Sequence, residues 1–576
     1  MCARVSAVPR PWSPRAGLTR VTPVQRHQGR LHVLQGKALG ASLLLALALS
    51  AAPPTTAHPH AGPATAQAGP PRLVVALIFD QLGSDTLLRH LPLLDPAGAI
   101  RQAVEHGVFL ERGVYPYAST LTAPGHAAVH TGAAPSSSGI DNNSYWDESL
   151  ARAEPVVADA AHPVFGREHD NVGVGPGRLR APTVADQLKA QTRGAARVVS
   201  LSIKDRSAAL PAGRSADLVL WFDGTLEAFT SSSAWGSALP AWVGRYQSEH
   251  PLRALLTPWK PLSPARYSAQ LGPDAAPGEG DFDGFGTTFP HVFAQVRKPM
   301  AVLPCTPQLS EYLVDLAARA VREQGLGRDE VPDLLALSIS GTDCAGHVFG
   351  PSSWEYVDHL ARADRALGRW LERLARELPL AVLITSDHGV APLPESSTPV
   401  GARLVPRQVQ EHLEAVLVRE LGAGPWVAGL LSPFVYLTPR ARAHPEHERV
   451  LATALAALRK EPGLRDAWRL SEVRGWRKDG DPLRQALALG ISPENSADLM
   501  LLPAPGHPLD LGEPAGKGTN HGSPYAYDRE VPVLAWGKGV PHRRSAEPVN
   551  QLRVAATLAR LLGIPAPTRA AKEPLF

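Results

Sequence analysis

Cysteine is scarce in this chain of 576 residues, which has only Cys2, Cys305 and Cys344. So few thiols exclude a small scaffold held together by disulfides. Cys305 and Cys344 could bond to each other, or Cys344 could be a small buried residue. We favour the buried interpretation because of the residues next to Cys344, which form a motif described below.

A large excess of charge of one sign is also missing. The formal net charge is +4, and much of it lies in an N-terminal tail where the basic residues from Arg4 to Lys37 have no acidic neighbours. We therefore predict no nucleic-acid binding beyond nucleotides as substrates. With 44% apolar and 19% charged residues, the chain has the composition of a globular protein. Its length suits one large α/β domain with insertions, or two or three average domains.

Long hydrophobic runs are absent after the N-terminal region. The one candidate, residues 38–52, follows the basic tail, is too short for a comfortable membrane span, and is followed by small residues and proline. This layout predicts a secretory signal, with an uncleaved anchor as the alternative. Cleavage is expected after one of three residues: Ala51, Ala52 or Ala57. We predict an extension and signal peptide over 1–57, a linker over 58–70, and a periplasmic or secreted protein without a stable membrane span.

Apolar strands alternate with amphipathic helices along the rest of the chain. "PRLVVALIFD" is an unbroken apolar run, so both of its faces must be covered, which favours a parallel sheet. The alternation predicts a doubly wound, mostly parallel α/β sheet flanked by helices, in one domain over 71–576. Segments rich in proline and glycine predict cap-like insertions at about 144–195, 224–300 and 390–497.

Charged residues stand where the predicted strands end: Asp80, Lys204, Asp343 and Asp387. Ligands of open α/β sheets bind beyond the carboxyl ends of the strands. A single Asp after a strand is usually a turn or a helix cap. Four such positions together favour a functional site.

Histidines accompany two of these aspartates. "DCAGH" places Asp343 and His347 four residues apart, so both can face one side of a helical turn. "SDHG" makes Asp387 and His388 adjacent, so they could reach two ions, or one ion through a bent loop. His521 lies in the glycine-containing loop "GTNHGSPYAYD". Three Asp and three His make two sets of about three ligands, which suit zinc, with manganese and other divalent ions as alternatives.

These motifs resemble those of the alkaline phosphatase superfamily, over residues of about 72–564. The similarity is greatest to bacterial periplasmic alkaline phosphatases with a threonine nucleophile. It is carried by "LIFDQ", "TAPGH", "SGIDNN", "SIKDRSAALPAG", "SGTDCAGHVFGP", "TSDHG" and "GTNHGSPYAYD". The resemblance implies two zinc ions, one held by Asp343, His347 and His521. It implies that the other is held by Asp80, Asp387, His388 and Thr122.

The resemblance also selects the nucleophile within "STLTAPGHAAVHTG". Ser119 and Thr120 are alternatives from the residues alone, but the family aligns its nucleophile with Thr122, just before "APGH". A divalent ion favours the alkoxide of such a hydroxyl. The predicted helix start should add backbone N–H groups for an anionic substrate. We interpret His126 as structural.

Phosphate-binding residues follow from the same resemblance: Asn143, Lys204 and Arg206. Lys204 and Arg206 could both reach the phosphate if the strand end is extended, because alternate residues of a strand share a face. Two departures from the family pattern concern neighbouring residues. Asp141 would weaken phosphate binding if it pointed inward, and Asn142 could replace Asn143 as the donor.

The implied reaction is hydrolysis of small phosphorylated metabolites, specifically phosphate monoesters, through a phosphothreonine intermediate. A phosphodiesterase or nucleotide pyrophosphatase on the same fold is the main alternative. Those relatives share the metal ligands but resemble the Lys-Asp-Arg motif less, and their second ester group tends to need an apolar pocket. A sulfatase lacks support because no Cys/Ser-x-Pro-x-Arg motif stands at the nucleophile. A non-catalytic phosphate- or metal-binding protein is the alternative from another functional class.

Overall fold

The computed structural model describes residues 70–509 and 517–576. The predicted extension and signal peptide, and nearly all of the predicted linker, lie outside these residues and stay predictions. Within the described ranges, no helix combines the length and the apolar character that crossing a membrane requires.

The described residues form strands and α-helices in alternation. The strands are β1 (Leu73–Phe79), β2 (Val108–Val114), β3 (Ser144–Asp147), β4 (Arg152–Pro155), β5 (Ala158–Pro163), β6 (Gly173–Val174), β7 (Val198–Ser202), β8 (Leu218–Asp223), β9 (Ala228–Thr230), β10 (Asp333–Ile339), β11 (Leu380–Thr385), β12 (Val427–Leu431), β13 (Phe434–Leu437), β14 (Leu464–Arg469), β15 (Leu499–Pro503), β16 (Glu530–Gly537), β17 (Arg543–Ser545) and β18 (Val549–Asn550). The helices are α1 (Ser84–His90), α2 (Ala99–His106), α3 (Thr122–Thr131), α4 (Pro135–Ser138), α5 (Val184–Gln191), α6 (Asp205–Ala212), α7 (Ala241–Glu249), α8 (Pro264–Leu271), α9 (Pro299–Val302), α10 (Pro307–Gln324), α11 (Gly341–Phe349), α12 (Trp354–Glu377), α13 (Pro406–Leu421), α14 (Pro439–Arg442), α15 (His447–Leu458), α16 (Leu470–Gly475), α17 (Pro482–Leu489), α18 (Ala526–Arg529) and α19 (Val554–Leu561).

The central sheet has ten strands in the order β17-β2-β16-β11-β1-β10-β7-β8-β9, with β18 also paired to β2. β1 lies in its middle and runs parallel to both β10 and β11. The parallel run continues through β7 and β8. Antiparallel pairs occur toward the edges, where β16 joins β11 to β2 and β9 joins β8. The prediction of a doubly wound, mostly parallel α/β sheet is confirmed.

Helices cover both faces of this sheet, which explains the unbroken apolar strands. Every residue of β1 is buried. One face packs against α10 and α12, and the other packs against α3, α6 and α19. Burial of an apolar strand on both faces is what a parallel arrangement requires. The last helix ends just before Gly563, whose φ of 70° suits a residue that terminates a helix.

A second sheet lies within the chain between β11 and β16. It has four strands in the order β12-β13-β15-β14, and α13 and α15 pack on it around a separate hydrophobic core. We call residues 404–503 the inserted segment. Its contact with the rest of the domain includes a hydrogen bond from the side-chain amide of Asn142 to the carbonyl of Ser432, at 2.9 Å.

Cys305 and Cys344 form a disulfide bond, and their Cα atoms lie 4.7 Å apart. Our preference for a free, buried Cys344 is therefore wrong. Cys305 ends a short helical turn that packs against α11, and the two residues are 39 positions apart. Nothing in the local sequence of Cys344 could reveal that packing.

Candidate metal and phosphate site

The carboxyl ends of the central parallel strands bring the predicted residues together at one rim of the sheet. Asp80 directly follows β1, and Lys204 comes two residues after β7. The ammonium of Lys204 lies 2.8 Å from Oδ2 of Asp80 and 2.6 Å from Oδ2 of Asp343. Lys204 therefore joins one carboxylate from each of the two predicted ligand sets.

The first ligand set meets at Asp343. Asp343 lies in the first turn of α11 and His347 lies one turn later, as the spacing predicted. Nε2 of His347 is 3.2 Å from Oδ1 of Asp343, and Nε2 of His521 is 3.4 Å from the same oxygen. A loop residue and two helical residues thus converge on one point.

The second ligand set meets at His388, which follows β11. Its Nε2 lies 3.4 Å from Oδ1 of Asp80 and 3.3 Å from Oδ2 of Asp387. The two sets are in direct contact, because the rings of His388 and His521 stack with centroids 3.6 Å apart. Candidate ligand atoms of Asp343, His388 and His521 all lie within 4.8 Å of one another.

The three histidines share one orientation. Each has Nδ1 within hydrogen-bond distance of a backbone carbonyl, and a carbonyl only accepts, so the proton resides on Nδ1. Nε2 of each ring faces the carboxylates, which is the arrangement of metal-ligating histidines. These bonds join His347 to Thr519 (2.9 Å), His388 to Gly389 (2.9 Å) and His521 to Thr120 (2.8 Å).

The donor set fits divalent cations. Oδ1 of Asp80 and Nε2 of His388 are buried and have no hydrogen-bond partner within the described part of the chain. Oδ2 of Asp387 is also buried and lies 3.1 Å from Nδ1 of His126. Burial, with the charge of Asp387, raises the pKa of Asp80. Burial also acts on Asp343, but His347 and Lys204 hold the pKa of that carboxyl well below its usual range. Buried carboxylates with unpaired oxygens and imidazole nitrogens are the ligands that zinc accepts.

Thr122 is the first residue of α3 and is buried. The helix packs tightly on the Asp387 loop, since a Cβ at Gly125 would lie 2.6 Å from Cβ of Asp387. Both ring nitrogens of His126 have partners: Nδ1 bonds the carbonyl of Thr122 at 2.9 Å, and Nε2 meets Ser338 Oγ at 2.8 Å. Nδ1 is also 3.1 Å from Asp387 Oδ2. His126 thus holds the helix against Asp387 and has no free lone pair for a metal, in agreement with its structural interpretation.

The two alternative hydroxyls are engaged elsewhere. Ser119 donates to the carbonyl of Gly490 at 2.6 Å, and Thr120 donates to the carbonyl of Ser523 at 2.9 Å. Both side chains are buried. Their roles are consistent with supporting the loop that leads to Thr122.

The start of α3 offers fewer amides than expected. Ala123 N–H donates to Oδ1 of Asn143 at 2.8 Å, and Gly125 N–H donates to the carbonyl of Leu121. Pro124 has no N–H. The N–H groups of Ala123 and Gly125 are therefore not available to an anionic substrate, because the side chain of Asn143 takes the first and the carbonyl of Leu121 takes the second. The bond from Ala123 fixes the orientation of the Asn143 carboxamide. It uses only Oδ1, so the Nδ2 group can donate to another partner.

The neighbours of Asn143 are occupied. Asn142 donates to Ser432, and its Oδ1 accepts from the N–H of Asn143 at 2.7 Å. Oδ2 of Asp141 accepts from the N–H of Ser492 and from the side-chain amide of Asn495, each at 2.9 Å. Asp141 is thus bonded to the inserted segment, which accounts for an acidic residue at this position.

Lys204 and Arg206 do not alternate along an extended strand. β7 ends at Ser202, Lys204 is the residue before α6, and Arg206 lies in the first turn of that helix. The geometric reason given for their common direction is therefore wrong. Arg206 is nevertheless close enough to Lys204 to oppose its charge, while Asp343 and Asp80 raise the pKa of Lys204 against the effect of burial. Nε of Arg206 is buried and unpartnered among the described residues.

Gln81 is a site residue that was missed. It has a φ of 71°, which is uncommon for a residue other than glycine. Its N–H donates to Oδ1 of Asp387 at 3.1 Å, and its side-chain amide donates to Oδ1 of Asp343 at 2.8 Å. Gln81 thus positions a carboxylate of each ligand set. Its place directly after Asp80 in "LIFDQ" was the available signal.

Comparison with known proteins shows which family the chain belongs to. The family model of type I phosphodiesterases and nucleotide pyrophosphatases matches residues 74–523. Alkaline phosphatase PhoV of Synechococcus elongatus is 28% identical over 86% of this chain and 91% of its own. Alkaline phosphatase PafA of Elizabethkingia meningoseptica is 28% identical over 88% of this chain and 94% of its own. A crystal structure of PafA superposes with a TM-score of 0.81 at 27% identity, covering 88% of this chain and 98% of that one.

The chain belongs to the type I phosphodiesterase/nucleotide pyrophosphatase family. Within the alkaline phosphatase superfamily it is a PafA-like enzyme of the phosphatase class.

Proposed function

We propose that the protein is an exported two-zinc phosphatase that hydrolyses phosphate monoesters through a phosphothreonine intermediate. One observation carries the proposal. Two sets of carboxylate and imidazole ligands meet at the rim of the sheet, with His126 holding the helix of Thr122 against one of their members, Asp387. The substrates would be small phosphorylated metabolites.

Six side chains would hold the ions. Asp343, His347 and His521 would form one site, and Asp80, Asp387 and His388 would form the other together with Thr122. Bound divalent ions supply Lewis acidity, which lowers the pKa of a hydroxyl and stabilises a leaving oxygen. Zinc suits these nitrogen and oxygen ligands, and manganese and other divalent ions remain alternatives.

The reaction would take two steps. The oxygen of Thr122 forms a bond to phosphorus while the bond to the ester oxygen breaks, and in net terms the hydroxyl proton of Thr122 passes through solvent to the ester oxygen, which leaves as the alcohol. Water then attacks the phosphothreonine, which releases inorganic phosphate and restores the Thr122 hydroxyl. The buried position of Thr122 keeps other nucleophiles away from phosphorus.

Three side chains would bind the phosphoryl oxygens: Asn143, Lys204 and Arg206. The orientation of Asn143 leaves its Nδ2 free to donate. In this structure Lys204 bonds to Asp80 and Asp343. Divalent ions on those carboxylates would weaken both ion pairs and allow the ammonium to donate to the phosphate. Two cations and an amide match the charge of a monoester dianion.

A phosphodiesterase is the second candidate. A partly apolar cavity beside His521 could take a second ester group, and the family that matches the chain is described by phosphodiester chemistry. The cationic pair Lys204 and Arg206 favours the monoester, because a diester carries one negative charge less.

Kinetics with an aryl phosphate and its bis-aryl diester would decide between the two. We expect about two zinc ions per chain and a higher kcat/KM for the monoester. Thr122→Ala should keep the zinc and lose turnover, whereas Thr122→Ser, which retains a hydroxyl, should keep part of it. A strong diester preference would reject the monoesterase, and bound metal without turnover of either ester would favour a binding protein.

Export has its own test. The N-terminal residue of the mature protein, isolated from the periplasm or medium, should follow Ala51, Ala52 or Ala57. A chain that retains residues 1–57 in the membrane fraction would favour the uncleaved anchor.

A further inference from the structure

A cavity of about 440 Å³ opens beside the ligand cluster. Its inner wall includes Leu121, Asn143 and His521, which are the neighbour of the nucleophile, a proposed phosphate donor and a proposed metal ligand. Its outer wall comes from the inserted segment, at the start of α13 and the end of β12. The cavity therefore extends from the proposed catalytic residues to the inserted segment, which has no role in the reaction steps proposed above.

The lining combines polar side chains with an apolar surface. Besides Asn143 and His521, the polar residues are Asn142, Ser144, Arg407, Gln410, Ser432 and Asn520. Six apolar residues contribute to it: Leu121, Val405, Pro406, Leu430, Leu431 and Leu509. No carboxylate occurs among the described residues that line it. The single charged residue, Arg407, is exposed at the mouth and pairs with Glu411 at 2.8 Å. A volume of this size is typical of sites for organic ligands, which measure roughly 300–1,000 Å³.

The two walls are held in a fixed relation. The bond from Asn142 to the carbonyl of Ser432 joins them next to Asn143. Nearby, Gly429 of β12 packs on the Trp146 ring so closely that a Cβ there would lie 2.5 Å from Cζ3. Since neither contact depends on a ligand, the cavity is formed before any substrate binds.

The position of His521 indicates which part of a substrate the cavity would hold. In the proposed reaction the attacking oxygen of Thr122 and the leaving oxygen lie on opposite sides of phosphorus. In the proposed function His521 would belong to the ligand set that does not include Thr122, so the leaving oxygen would lie on the side of His521. Any group attached to that oxygen would continue into the space that begins at His521.

We propose that this cavity binds the leaving group of the monoester, and that the leaving group is an apolar organic group, such as an aryl ring or an alkyl chain of several carbons. A small polyol would leave the aliphatic walls without contacts. The inference rests on the proposed function and narrows its substrate class.

Ethyl and n-hexyl phosphate test this inference, because their alcohols are similarly poor leaving groups and differ only by methylenes. We expect kcat/KM to be about tenfold higher for hexyl phosphate, a fraction of what complete burial of the added methylenes would give. Val405→Trp fills the cavity and should bring the hexyl-to-ethyl ratio close to one. The matched control Val418→Trp places the same residue at an exposed position of α13 and should keep the parent ratio.

Binding measurements add a readout that does not depend on turnover. By calorimetry, zinc-loaded Thr122→Ala should bind hexylphosphonate about tenfold more tightly than ethylphosphonate. Equal rates and equal affinities for the two chain lengths would overturn the cavity assignment and leave the monoesterase intact. A chain-length effect confined to alkyl methyl diesters would overturn it in favour of a second-ester site. Failure to hydrolyse either monoester would instead reject the proposed function.

Discussion

The rim of the central sheet and the inserted segment differ in how their aspartates are paired. In the inserted segment, Asp498 accepts from the N–H of Leu437 at 2.7 Å and from two nitrogens of Arg442 at 2.9–3.0 Å. At the rim, Asp80, Asp343 and Asp387 are buried near one lysine, and Oδ1 of Asp80 has no hydrogen-bond partner in the described part of the chain. Asp498 is therefore neutralised by Arg442 within the inserted segment, whereas the carboxylates of the rim are left available to cations.

The largest expected effect comes from replacing one aspartate in each region, Asp343 at the rim and Asp498 in the inserted segment. Asp343→Ala removes the oxygen on which His347 and His521 converge. It should lower kcat/KM at least about a thousandfold, because metal catalysis supplies several kcal/mol, and should reduce the zinc content. Asp498→Ala is the matched control, and should lower the free energy of unfolding while zinc per folded chain and kcat stay near the parent values. Equal zinc loss in both variants would contradict the distinction.

The disulfide gives the second prediction, because it ties the rim helix α11 to the turn before α10. Closing a loop over a separation of 39 residues should stabilise the fold by about 4 kcal/mol. Chemical denaturation of Cys344→Ser should show this loss, and zinc should bind more weakly because Asp343 is the preceding residue. Cys305→Ser and the double variant serve as controls, since all three variants lack the same bond. Parent-like stability of Cys344→Ser would contradict the bond.

The smallest expected effect concerns the pH dependence of stability and comes from Asp364, a buried aspartate outside the proposed site. Asp364 of α12 accepts from the N–H of Ile100 at 2.7 Å, and its other oxygen has no partner within the described residues. Burial raises its pKa to about 7. Between pH 4 and pH 7 the unfolded state is ionised while the folded state keeps the proton, so stability should fall as pH rises, by about 2–4 kcal/mol in all.

Asp364→Asn tests this directly, since the amide does not titrate. The difference in the free energy of unfolding between the variant and the parent should shift in favour of the variant from pH 4 to pH 7 and stay constant above that. A pH-independent difference would show that Asp364 ionises in the folded protein like an exposed carboxyl.

Strand ends made much of the rim predictable from sequence. The apolar run before Asp80 and the run before Asp387 fix both residues at the same edge, because parallel strands end on the same side. Asp343 and His347 are four residues apart, so a single helical turn is enough to place both on one side. His521 lies in a loop without periodicity, so only the family resemblance could assign it to the same cluster.

Features that depend on packing between distant segments could not be predicted in this way. Because α6 begins at Asp205, Lys204 and Arg206 do not lie on one face of an extended strand. The carboxamide oxygen of Asn143 accepts a hydrogen bond from an N–H group of α3. Gln81 acts through two carboxylates that are far away in sequence. The cavity needs Leu121 and Val405 on facing walls, which no local pattern encodes. Such contacts follow from tertiary structure, whereas strand ends and helical spacing are local.

The central claim is that the rim holds two cations at defined positions. Anomalous diffraction at the zinc edge, from crystals grown with zinc, measures this most directly. We expect two peaks about 4 Å apart, one among Asp343, His347 and His521 and the other among Asp80, Asp387 and His388. A single peak, or peaks away from these side chains, would contradict it.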